Sequence, residues 1–246
     1  MDKTQYTFED FISIMNRLIA PDGCPWDRIQ THESLKRYMI EECYEAVEAI
    51  NNKDSDNLCE ELGDVLLQVV FHALLAQKEG LFDINDVING VSKKMINRHR
   101  HIFGDASAET PDDVLKSWDE IKKEEKGYTT AAQQLKSIPK ALPALIRAEK
   151  VLGKAEKNGA PQSENSYEYD EAIKIIEELR DDKNLINKEK MDKIGNLLLI
   201  ITNISRKNKI NPEFALTNAA ETYINRFEYF ENADNADGFV NEDTQS

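Results

Sequence analysis

The heptapeptide NNKDSDN (51–57) is the strongest turn signal inside a long helical stretch. Asn, Asp and Ser favour turns because their short polar side chains bond to the nearby backbone. Apolar residues recur at helical spacing on both sides, which predicts helices over 33–51 and 55–79. Two helices joined by so short a link run antiparallel. The register follows from the turn, because residues equidistant from position 53 face each other. Glu45 then faces Glu61, and Glu42 faces Asp64. Within each helix the pairs 42/45 and 61/64 are three residues apart and share a face. Four carboxylates are directed at one spot.

Such a cluster is unfavourable by itself, since like charges repel and burial adds a desolvation penalty. A solvated acidic face accounts for Glu48 and Glu60. It does not account for Glu42, which interrupts the apolar stripe of Leu35, Tyr38, Met39, Ala46 and Ala49. Nor does it account for Asp64, which opens DVLLQVVFHALLA (64–76), where Gln68 and His72 are the other polar residues. Glu41 either orients a ligand or is solvated. A divalent cation relieves the repulsion, and hard oxygen donors without Cys or His favour Mg²⁺ or Mn²⁺ over Zn²⁺. A di-metal oxygen-activating bundle uses Glu-x-x-His pairs. Glu45 and Asp64 stand where those histidines belong, so that reading is minor. Redox-inert Mg²⁺ points to phosphate chemistry.

The remaining segments also read as helices, over 7–20, 84–102, 111–126, 139–158, 167–182, 188–208 and 212–231. No stretch alternates as a strand does, so the fold class is all-α. A repeat is visible: LGDVLLQVVF (62–71) resembles IGNLLLIITN (194–203), and INRHRHIF (96–103) resembles INRFEYF (224–230). Two tandem helical units are expected, over 1–127 and 139–231, with a linker at 128–138 and an acidic disordered tail at 232–246.

Over 246 residues the formal charge is −15, which disfavours nucleic acid as a partner. Cys24, Cys43 and Cys59 form neither a disulfide framework nor a zinc motif. Cys43 and Cys59 fall within helices and are expected to be small buried residues. The start MDKTQYTFED lacks a signal pattern, and the longest aliphatic run, LLLII (197–201), is too short to cross a bilayer. A cytoplasmic protein with no membrane partner is the expectation.

Phosphate chemistry also needs cations. Lys94 and Arg98 are four apart on one predicted helix, and Trp118 and Lys122 are four apart on the next. The second pair offers an aromatic ring and a cation on one face, suited to a base and a phosphate. His99 and His101 beside Arg98 and Arg100 read more simply as surface histidines.

With these features on the page, the chain resembles the MazG family of all-α nucleoside triphosphate pyrophosphohydrolases. The core of the resemblance is EExxE…ExxD, here Glu41-Glu42-Cys43-Tyr44-Glu45 and Glu61-Leu62-Gly63-Asp64. Supporting stretches are GCPWDRIQTHESL (23–35), GDVLLQVVFHALLAQKEGLFDINDV (63–87), RHRHIFGD (98–105) and IPKALPALIRAEK (138–150). The resemblance implies Mg²⁺-dependent hydrolysis between the α- and β-phosphates, with Mn²⁺ as a possible substitute. It implies Glu42, Glu45, Glu61 and Asp64 as catalytic metal ligands. Lys94, Arg98 and Lys122 would contact the triphosphate, and Trp118 would lie near the nucleotide. A homodimer and a role in clearing unwanted nucleotides are implied as well.

The second unit departs from the pattern. There EExxE becomes Lys174-Ile175-Ile176-Glu177-Glu178, and ExxD becomes Lys193-Ile194-Gly195-Asn196. Only Glu178 survives of the four ligands. The expectation is therefore an enzyme working through its first unit, against two alternatives: a non-catalytic nucleotide-binding or interaction protein, and the minor oxygen-activating one.

Overall fold

A computed structural model describes residues 4–161, 165–182 and 186–238, with side chains omitted at 165–166 and 233–238. All regular structure among them is helical: α1 (Phe8–Leu18), α2 (His32–Asn52), α3 (Ser55–Lys78), α4 (Ile84–Arg98), α5 (Arg100–Phe103), α6 (Pro111–Lys126), α7 (Ala131–Lys136), α8 (Ala144–Lys157), α9 (Asn165–Asp181), α10 (Asn187–Lys207) and α11 (Pro212–Gly238). The chain divides into two compact units, Met1–Lys122 and Lys123–Ser246.

Local chemistry sets the helix ends. Thr31 caps α2 by accepting the Ser34 N–H, and Ser34 returns a bond to the Thr31 N–H. Lys53 closes α2 in the left-handed conformation (φ 56°), and Asp54 opens α3 by accepting the Asp56 and Asn57 amides. The turn between the two acidic helices thus narrows to Lys53–Asp54. α2 and α3 then pack along their length.

The core of the first unit lies on the other faces of α3. Val70, Phe71, Ala73, Leu74 and Leu75 pack with Met15 and Ile19 of the α1 end, Leu35 of α2 and Ile84 of α4. Burying a side chain such as Phe71 or Leu35 contributes about 1.5–3 kcal/mol, enough to fix how α1 and α2 seat on α3. Lys78 extends the α1 contact by donating to the Ile19 carbonyl at 2.9 Å. In the second unit α10 packs against α8, α9 and α11. Glu168 is held there by Asn203 at 2.6 Å and Lys207 at 3.0 Å.

Several boundaries differ from the sequence expectation. The helix predicted over 84–102 breaks at His99 (φ −110°, ψ 51°), and its ring Nδ1 lies 2.7 Å from the Met95 carbonyl. The side chain engages the carbonyl that the backbone of His99 also uses at 3.1 Å, which opens the turn. A short helix, α7, occupies part of the stretch expected as linker. α8 begins at Ala144 rather than 139, because Pro139 and Pro143 cannot continue a helical ladder. α11 runs to Gly238, past the expected end at 231, so part of the expected tail is helical; the rest, 239–246, lies outside the described residues. Cys43 and Cys59 are exposed, not buried. The α2 face that meets α3 centres on Leu35, Ala46 and Ala49, and Cys43 falls off that stripe.

Candidate metal and nucleotide site

The α2–α3 register brings the carboxylates together. Glu42, Glu45 and Glu61 each offer an oxygen within 4.8 Å of the others. Glu42 and Glu61 are half-buried and Glu45 is exposed. Burial, followed by the charges of Asp64 and Glu45, pushes the Glu42 carboxyl above its ordinary value. Burial, followed by Glu45 and Asp64, does the same to Glu61. Asp64 is half-buried and stands outside the closest trio, acting on Glu42 and Glu61 through its charge.

The same seam carries further polar groups. Gln68 is 4% exposed, and its Oε1 is buried without a hydrogen-bond partner. His32 and His72 meet at 2.7 Å between their Nδ1 atoms. Their ring planes are 5° apart and their centroids 5.0 Å apart, so with the nitrogens this close the rings meet edge to edge in one plane. One Nδ1 donates and the other accepts. Burial and the facing His32 lower the His72 pKa, which suits that neutral pairing. The sequence reading missed His32; its signal was its place nearly opposite His72 across the turn.

The other predicted residues lie on α4 and α6. Trp118 is half-buried on α6, with Lys122 5.4 Å from its ring centroid in a cation–π contact. His99 meets the same indole edge-on, at 5.0 Å and 90°. Arg98 is half-buried beside His99 at the end of α4, and Lys94 is exposed one turn earlier.

At the matching place in the second unit, Lys193 Nζ lies 2.5 Å from Glu178 Oε2, and Lys174 lies 4.0 Å from the same carboxylate. The hydrogen bond from Lys193 holds the Glu178 carboxyl below its ordinary value. Glu178, Lys174, Lys193 and Asn196 border a cavity of about 420 Å³. An ammonium group stands where the first unit converges carboxylates.

The MazG nucleotide pyrophosphohydrolase domain matches residues 30–103, a span containing α2, α3 and the acidic cluster. The nucleoside triphosphate pyrophosphohydrolase/pyrophosphatase MazG of Thermotoga maritima is 41% identical over 243 residues, 99% of this chain and 92% of the relative. The chain belongs to the MazG family. A nucleoside triphosphate pyrophosphohydrolase of Escherichia coli K12 is 38% identical over 220 residues, covering 88% of this MazG chain and 84% of the relative. An uncharacterised Bacillus subtilis protein, YabN, is 43% identical over 240 residues, covering 95% of this chain but 48% of its own length.

Proposed function

We propose that this chain is a Mg²⁺-dependent nucleoside triphosphate pyrophosphohydrolase, acting through its first unit to release a nucleoside monophosphate and pyrophosphate. The convergence of Glu42, Glu45 and Glu61 within 4.8 Å, from two helices, carries the reading. The donor set fits Mg²⁺: it is all hard oxygen, it is self-repelling when ionised, and a buried unsatisfied amide lies one turn away. Glu42, Glu45, Glu61 and Asp64 would hold the ion, with Mn²⁺ as a substitute. When bound, the ion supplies charge neutralisation at the phosphates and Lewis acidity. An ionised carboxylate of the cluster accepts the proton of the attacking water. Lys94, Arg98 and Lys122 bind phosphate oxygens, and Trp118 borders the base.

The names of the Thermotoga and Escherichia relatives support the substrate class. The repeat supports two tandem MazG-like units, and Lys193 at Glu178 supports a second unit without catalysis. Exposed apolar residues on α3 and α4, such as Leu62, Leu66, Ile88 and Val91, support a homodimer. Among the described residues no helix is long and apolar enough to cross a membrane. Three free cysteines suit the cytoplasm.

The test is a panel of NTPs and dNTPs with Mg²⁺, assayed for pyrophosphate. Glu61→Gln and Asp64→Asn are expected to lower turnover by roughly a hundredfold or more while leaving helicity intact, because a misplaced water loses that much. Near-normal release by both variants at saturating Mg²⁺ refutes the assignment.

A further inference from the structure

His32 and His72 tie together the end of the α2–α3 hairpin that lies away from its turn. The turn at Lys53–Asp54 joins the two helices at one end. His32 is the first residue of α2, and His72 lies near the end of α3. Both rings are half-buried. Their Nδ1 atoms are 2.7 Å apart, their planes 5° apart and their centroids 5.0 Å apart. That centroid distance matches the nitrogen contact plus two ring radii, so the two nitrogens point straight at each other. Such a contact is a near-linear N–H···N hydrogen bond. Two ligands of one cation are arranged differently, with lone pairs converging on a point to one side. Head-on at 2.7 Å, the pair leaves no space for an ion.

We propose that the His32–His72 pair is a proton-dependent clasp, which holds the open end of the α2–α3 hairpin until both rings are charged and then releases it. The inference is independent of the pyrophosphohydrolase reading. A neutral imidazole has one N–H and one bare nitrogen, so the neutral pair bonds with one donor and one acceptor. A first proton adds to the outer nitrogen of the donating ring, and the cation still donates across the contact. A second proton must go to the accepting Nδ1 itself. Two N–H groups then face each other, and two positive rings repel. Burial, followed by His32, lowers the His72 pKa, and Glu33 of α2 opposes them. Glu33 is exposed and lies 3.8 Å from Lys36. Among the described residues, the α1 end and α4 lay Met15, Ile19 and Ile84 on the core of α3, none of them charged. On α3 itself, Lys78 donates to the Ile19 carbonyl. The unfolded chain protonates His72 at the ordinary histidine value, and the folded chain only below it. The contribution is therefore complete above the ordinary value and is lost as pH falls through the lowered one.

The experiment is a double-mutant cycle in the full chain: wild type, His32→Phe, His72→Phe and both together, each unfolded in urea from about pH 8 down to about pH 4.5. Phe keeps a flat ring that neither forms this bond nor titrates. Near the upper end the two sites should be coupled, by roughly threefold or more in the unfolding constant beyond the combined single effects. Below the lowered His72 value the coupling should vanish or change sign. Nitrogen NMR of the folded wild type asks the same question without relying on the stability of a variant. At the upper end it should show one Nδ1 proton coupled to both facing nitrogens, and that signal should disappear in acid. In His32→Phe, His72 should titrate closer to the ordinary histidine value. Absence of coupling near the upper end overturns the proposal, as does a coupling of the same size at every pH. A missing shared-proton signal, or a His72 titration unmoved by His32→Phe, overturns it as well.

Discussion

Glu42 is costly to the fold where it stands, a cost that the proposed metal would relieve. Burial and its acidic neighbours raise its pKa, as they do for Glu61. The folded protein therefore keeps protons that the unfolded chain has already released. With a chelator present, stability should fall as pH rises from the ordinary carboxylate range through the raised values. Glu42→Gln should flatten that fall and raise the metal-free Tm, yet lower the gain in Tm that Mg²⁺ confers on wild type. Calorimetry with EDTA and with Mg²⁺ checks both signs, and a metal-free Tm lowered by the substitution contradicts the cluster. Glu178 behaves oppositely. Its pKa is depressed by Lys193, so its contribution is present above the ordinary carboxylate value and is lost as pH falls through the depressed one. Lys193→Ala should lower Tm at pH 7, with the deficit shrinking in acid. Under the proposed division between the two units, the same variant should leave pyrophosphate release unchanged.

At the scale of elements, the helix ends decide how well the carboxylates are held. Thr31 caps the helix that carries Glu42 and Glu45, and Thr31→Ala should cost about 0.5–2 kcal/mol in urea unfolding. Glycines separate by what surrounds them. A Cβ on Gly90 of α4 meets nothing within 4 Å, so Gly90→Ala should stabilise by about 0.5–1 kcal/mol through helix propensity. A Cβ on Gly23 collides with the Leu18 carbonyl, because the loop folds tightly over the end of α1 and Cys24 donates to that same oxygen at 2.8 Å. Gly23→Ala should destabilise. Equal effects from the two alanines would mean that the loop is free to move away from α1.

For the whole molecule, the question is what covers the apolar surface. Ile88 and Val91 on α4 are 43% and 47% exposed, and Leu62 on α3 is 54% exposed. Sedimentation should give twice the chain mass of 28.1 kDa, and Ile88→Glu with Val91→Glu should shift it toward the monomer. A wild-type chain that sediments as a monomer at micromolar concentration excludes the dimer. The second unit keeps long apolar helices while Lys174, Lys193 and Asn196 replace three of the four acidic positions, so truncation after about residue 130 should harm solubility and assembly more than the proposed chemistry of the first unit. Pyrophosphate release by isolated residues 131–246 would reverse that division.

The helix pair and its register were legible in the sequence because both rest on local rules. The 3.6-residue period gave α2 and α3, the Asn/Asp-rich link gave the turn, and symmetry about it placed Glu45 by Glu61. The same local reasoning ran past the start of α8 and placed Cys43 and Cys59 in a core they do not join. It could not foresee that the His99 ring would engage the Met95 carbonyl and break α4, since that depends on a side-chain rotamer. Only the folded structure set His99 and Lys122 against the Trp118 ring, paired His32 with His72, and left the Gln68 oxygen without a donor. Periodicity assigns a residue to a face of its own helix; what that face meets, and whether a buried polar atom finds a partner, is settled by packing between helices.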